Sequence, residues 1–132
     1  MDSDDAEDLE RIKTCILGKL DGVEAIYLFG SRVKGDFVET SDYDIAIVVP
    51  QNPYNYIEKV AQIRYALLGK IKKPIDLIIL DHNDFGFASP IIFEILQHNR
   101  LIFGEDILLS SAYIAKTVRP IVEDNATIGY HV

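Results

Sequence analysis

Three short apolar runs limit what this 132-residue chain can become: Val23–Phe29, Tyr43–Val49 and Pro74–Leu80. Each is rich in branched or aromatic side chains, is bounded by Gly, Pro or Asp, and is too short for a stable helix. Such runs read as strands buried on both faces, which requires helices on either side of a sheet. Segments with helical spacing supply them. Leu9, Ile12, Ile16, Leu17 and Leu20 precede the first run, and Gly22 ends their pattern. Ile57, Val60, Ala61, Leu67 and Leu68 follow the second run, started by Asn52-Pro53 and stopped by Gly69. Ile91, Ile92, Ile95 and Leu96 follow the third, after a second start signal, Ser89-Pro90. Leu101–Phe103 predicts a short edge strand, and roughly 106–118 a last helix ended by Pro120. The predicted order is helix, strand, strand, helix, strand, helix, strand, helix. That is an α/β chain of the α+β type, a mixed β-sheet flanked by helices. We expect one domain over 1–104, with 105–132 forming a helix and tail that pack on it or mediate association.

Charge narrows the function classes. Lys plus Arg is 13 against 21 Asp plus Glu, a formal net charge of −8. A chain this acidic is a poor match for an extended nucleic-acid or anionic-membrane surface, but a small basic spot remains compatible with it. Residues 1–8 are mostly acidic and are expected to fray, or to sit favourably at a helix N-terminus. Cys15 is the single cysteine, which excludes an internal disulfide and a cysteine zinc site, and a cytoplasmic setting is expected. The acidic start does not resemble a secretory signal, and no apolar run has the length of a membrane span.

The segment that carries chemistry lies between the first two strands: Gly30-Ser31-Arg32-Val33-Lys34-Gly35, then Ser41-Asp42-Tyr43-Asp44. Alternation along an extended chain points Asp42 and Asp44 to one face, about 6.5 Å apart, and turns Tyr43 away. Paired carboxylates raise each other's pKa unless a cation lies between them, and hard oxygen ligands suit Mg²⁺ or Mn²⁺. Asp76 stands inside the third apolar run, where it would need a partner such as Lys72 or Lys73, or a shared cation. If its strand lies beside that of Asp44, it completes a three-carboxylate cluster able to hold two metals about 3.5–4 Å apart. Gly30 allows a tight turn at a strand end, Ser31 offers a hydroxyl and an amide to phosphate, and Arg32 and Lys34 add local positive charge. The Gly-Lys-Ser/Thr of a Walker loop is missing.

Gly-Ser, three residues, Gly, then Ser-Asp-x-Asp and a later strand Asp together resemble the nucleotidyltransferases of the DNA polymerase β superfamily. The short length is similar to that of the minimal nucleotidyltransferases, which are encoded beside HEPN-domain proteins. The resemblance implies a polymerase β-like fold and metal binding by Asp42, Asp44 and Asp76. It further implies two Mg²⁺ ions, with Mn²⁺ an alternative, and ATP as substrate. Asp76 would hold the metal nearer the acceptor and help to deprotonate the attacking hydroxyl. Gly30 and Ser31 would grip the triphosphate, with Arg32, Lys34 and Ser41 as further nucleotide contacts. The minimal group implies transfer of AMP to a tyrosine of a HEPN toxin, making this chain the antitoxin. Two rivals stand beside that reading: a small-molecule enzyme of the aminoglycoside-modifying kind, and a module that masks its partner without chemistry. Homodimerisation is left open.

Overall fold

The computed structural model describes residues 3–34, 42–86 and 89–106. In chain order these form α1 (Ser3–Lys19), β1 (Ala25–Phe29), α2 (Ser31–Lys34), β2 (Tyr43–Val48), α3 (Tyr56–Leu67), β3 (Ile75–Leu80), α4 (Pro90–Gln97) and β4 (Asn99–Gly104), with a 3-10 turn at Asp84–Gly86. The expected order holds as far as β4, and the glycine-rich segment opens into the single helical turn of α2. The last expected helix, together with Gly35 and Ser41, lies outside the described residues.

The strands pair in the order β3-β2-β1-β4. β1 runs antiparallel to β2 and to β4, and β2 runs parallel to β3. α3 supplies the crossover that a parallel β2–β3 pair requires. Alternation then divides the core. Ile45 and Ile47 of β2 meet Ile12 and Ile16 of α1 and Ile63 and Leu67 of α3. Ala46 and Val48 face the other way, into a cluster with Tyr27, Phe85, Ile92 and Ile95.

The central strands are apolar on both faces, as expected. β3 is an edge strand, so Ile75 and Ile78 are only half-buried and Asp76 is exposed, contrary to the expectation of a strand enclosed on both sides. α3 begins at Tyr56 rather than at Asn52-Pro53. Asn52 is taken instead by a loop network: its amide N–H donates to Asp81 Oδ2 at 3.1 Å and its side chain to Asp84 Oδ2 at 2.9 Å. The buried stripe of α3 is Tyr56, Val60, Ile63 and Leu67, while Ile57 and Leu68, expected to be inside, are 82% and 75% exposed. Ser89 caps α4 as predicted, accepting from the Ile92 N–H at 3.3 Å. The acidic N-terminus takes the second of its two expected places, at the start of a helix, and part of it is enclosed. α1 already includes Ser3, and Asp5 is buried at 2% exposure. No helix among the described residues is long and apolar enough to cross a membrane.

Candidate active site

β1 ends at Phe29, which pairs with Asp44 of β2. Gly30 follows with φ +81°, a left-handed conformation that side chains disfavour. A Cβ there would run into the Asp44 carboxylate, 3.1 Å from its Cγ. Glycine therefore meets two demands at once: it turns the chain out of β1, and it lets backbone lie directly against an acidic side chain. α2 starts at the next residue, with the Val33 N–H bonded to the Gly30 carbonyl at 3.1 Å.

Asp44 and Asp76 are register partners across the parallel β2–β3 pair. Partners on neighbouring strands lie about 4.8 Å apart and point to the same face. Both carboxylates therefore stand on the α4 side of the sheet. Asp42, two residues before Asp44, shares that parity. Burial, then the charges of Asp76, Asp42 and Glu94, push Asp44 up to about 6 from an ordinary 3.8, and a hydrogen bond with Asp76 adds to the effect. Like charges this close strain the ionised form unless a proton or a cation lies between them.

The pair opens onto a cleft of about 580 Å³. Phe29, Ile78, Pro90 and Ile91 give it an apolar wall, and Asp44, Asp76 and Glu94 make its acidic end. Asp76 is reached by Arg64 of α3 at 3.5 Å, both side chains being at least half exposed. Neither Lys72 nor Lys73 is the partner expected for Asp76; Lys73 bonds Asp5 at 2.8 Å instead.

A divalent metal is what this donor set suits. The ligands are hard oxygens, and the raised Asp44 marks a site short of positive charge. Among the described residues no group of three or more His, Cys, Asp or Glu side chains closes into a ready-made metal cage. The fit is thus that of a close pair, Asp44 and Asp76, with Asp42 near enough for its charge to be felt.

The residues expected to bind phosphate separate. Gly30 lies against Asp44. Arg32 does not face the carboxylates. Its guanidinium is buried on the opposite face, 2.8 Å from Asp5 Oδ2 and 4.4 Å above the Tyr43 ring. This corrects the expectation of a phosphate contact at Arg32: alternation sends Tyr43 to the α1 face, and Arg32 follows it. Ser31 is described in backbone only, as is Lys34, and Ser41 is outside the described residues. The sequence reading missed Glu94, Tyr56 and Arg64. Glu94 did carry a signal, as the one charge in the apolar run Pro-Ile-Ile-Phe-Glu-Ile-Leu. Arg64 and Tyr56 look like ordinary α3 residues until α3 is placed against β3, where the Tyr56 hydroxyl accepts from the Ile79 N–H at 3.3 Å.

A glycine turn laid against paired carboxylates, on a mixed sheet with this strand order, defines the nucleotidyltransferase class of fold. Residues 10–108 match the family described as Polymerase beta, Nucleotidyltransferase, and the chain belongs to that family. Solved structures share the fold. A toxin–antitoxin complex with AMP-PNP aligns at TM-score 0.58 with 20% identity, covering 74% of each chain. The complex of tri-AMPylated Shewanella oneidensis HEPN toxin with MNT antitoxin aligns at 0.54 and 18%, covering 85% of this chain and 82% of that one. The spectinomycin adenyltransferase of Enterococcus faecialis, with ATP and spectinomycin, aligns at 0.61 and 18%, covering 78% of this chain and 57% of that one. No curated protein matches the sequence.

Proposed function

We propose that this chain transfers AMP from ATP to a hydroxyl of a HEPN-type partner protein, and that the modification makes it an antitoxin. The observation that carries the reading is the side-by-side placement of Asp44 and Asp76 on one face, against the Gly30 turn. Asp42, Asp44 and Asp76 would hold the divalent metal, two Mg²⁺ ions or Mn²⁺ in their place. When bound, the metal neutralises charge on the triphosphate and on the carboxylates. Gly30 leaves the backbone bare for phosphate, and Ser31, Lys34 and Ser41 extend that grip. The apolar wall of Phe29, Pro90 and Ile91 suits the flat face of a base. The acceptor oxygen forms its bond to the α-phosphorus as the α–β bridging bond breaks, and pyrophosphate leaves in line. Asp76, the most exposed of the strand carboxylates, is placed to take the acceptor's proton. Residues 105–132 are proposed to pack on the 1–104 domain or to contact the partner, and the cytoplasm is the proposed setting.

Coverage favours a protein acceptor. The chain spans 74% and 82% of the two toxin–antitoxin chains but 57% of the spectinomycin enzyme. The small-molecule reading keeps one point in its favour, the TM-score of 0.61. The test is to incubate the chain with the co-purified HEPN protein, α-labelled ATP and Mg²⁺. Label on the partner, lost with Asp44→Ala, is expected. Label on an aminocyclitol instead moves the assignment to the small-molecule class. Neutralisation of the partner that survives Asp44→Ala replaces chemistry with masking.

A further inference from the structure

On the face of the sheet away from the cleft, one buried carboxylate ties together three of the segments that build the site. Asp5 lies in the first turns of α1. Its Oδ2 accepts from Arg32 at 2.8 Å, and its Oδ1 accepts from Lys73 at 2.8 Å and from the Tyr43 hydroxyl at 2.6 Å. The Tyr43 hydroxyl also lies 2.8 Å from Asp8 Oδ2. The Arg32 guanidinium covers the Tyr43 ring at 4.4 Å, and the Lys73 ammonium lies 5.7 Å from its centroid. Arg32 has no exposed side-chain surface, Asp5 has 3%, and Lys73 has 18%.

These partners of Asp5 stand beside the residues that make the site. Arg32 is the second residue of α2, two after Gly30. Tyr43 stands between Asp42 and Asp44. Lys73 enters β3, three residues before Asp76, and the Tyr43 N–H bonds the Pro74 carbonyl at 2.9 Å beside it. α2 is a single turn, too short to hold its place by helix formation alone. What anchors it to β2 and β3 on this face is the charge-assisted contact of Arg32 with Asp5. Without that carboxylate two cations would share one tyrosine ring with one buried counter-charge fewer.

We propose that Asp5 is a positioning residue: acting through Arg32, Tyr43 and Lys73 from behind the sheet, it sets the spacing between the glycine turn and the Asp44–Asp76 pair, and so the fit of a nucleoside triphosphate. Asp5 touches no substrate. The inference rests on the nucleotidyl-transfer reading.

Its test is ATP binding by the full chain with Mg²⁺, titrated at 10 °C, well below the unfolding midpoint of each variant. Lys73→Met keeps the side chain's length, removes its charge and sits at the least buried corner of the cluster. It is expected to weaken ATP binding about 10-fold, and Asp5→Asn by about 10- to 100-fold, the effect of a misplaced binding group. Lys73→Arg should restore affinity to within about twofold. Lys59→Met, which removes only an exposed contact to the Lys19 carbonyl, should change nothing. If Asp5→Asn does not fold, Lys73→Met and Tyr43→Phe carry the experiment. In turnover, the loss should fall on KM for ATP more than on kcat. Wild type that binds ATP, with folded Lys73→Met and Asp5→Asn binding equally well, overturns the positioning role alone. Wild type that fails to bind ATP overturns the proposed function, and this role with it.

Discussion

Replacing Asp44 by asparagine should stabilise the folded chain while abolishing transfer. Asp44 keeps its proton to about pH 6 in the fold, against an ordinary 3.8. A carboxyl with a raised folded pKa contributes its full stability below 3.8, and that contribution is lost as pH rises through 6. At 1.36 kcal/mol per pH unit, the ionised Asp44 of the metal-free protein destabilises the fold by up to about 3 kcal/mol at pH 7.5, and by about 1 kcal/mol at pH 4.5. Partial exposure and salt screening make these values ceilings. Asparagine has nearly the same shape, carries no charge, and can donate to Asp76 as the protonated acid does. Urea unfolding with EDTA present should therefore place Asp44→Asn above wild type at pH 7.5, with the gap shrinking by roughly two thirds at pH 4.5. Mg²⁺ should then raise wild type by about 1.4 kcal/mol at ten times its dissociation constant, and the variant by much less. Equal stabilities at pH 7.5, or a gap that does not narrow on acidification, would refute the claim that burial and neighbouring like charges disfavour ionised Asp44.

Gly30→Ala should destabilise the fold by about 1–2 kcal/mol, because it combines a left-handed backbone with a Cβ set against the Asp44 carboxylate; an unchanged urea midpoint would contradict the close approach. Asp76→Ala should lower label transfer about 10³-fold while shifting stability by under about 1 kcal/mol, since its pairing with Arg64 is exposed; a large loss of stability would mean that Asp76 is structural. On α3, Ile63→Ala should lose about 2–5 kcal/mol and Tyr65→Ala under about 0.5, and denaturant curves showing the reverse would invert the assigned face of the helix.

Which stretches became strands and helices was determined by the chain alone. Val23–Phe29, Tyr43–Val49 and Pro74–Leu80 are short, apolar and punctuated, and Ser89-Pro90 starts α4, because these preferences act over a few residues, although Asn52-Pro53 was overridden by its bonds to Asp81 and Asp84. The same local rules turned Tyr43 away from Asp42 and Asp44 before any partner strand was known. Tertiary structure decided the rest. Asp76 could join Asp44 only once β3 paired parallel to β2 in the register Asp44↔Asp76, and a slip of one residue would have turned it to the α1 face. Edge placement left Asp76 exposed and within reach of Arg64. Lys73, expected beside Asp76, and Arg32, expected at phosphate, instead found Asp5 across separations of 68 and 27 residues. Glu94 became part of the cleft only when α4 packed over the sheet. Charges pair by distance in space, and a linear chain does not state which distant segments the burial of its apolar faces will bring together.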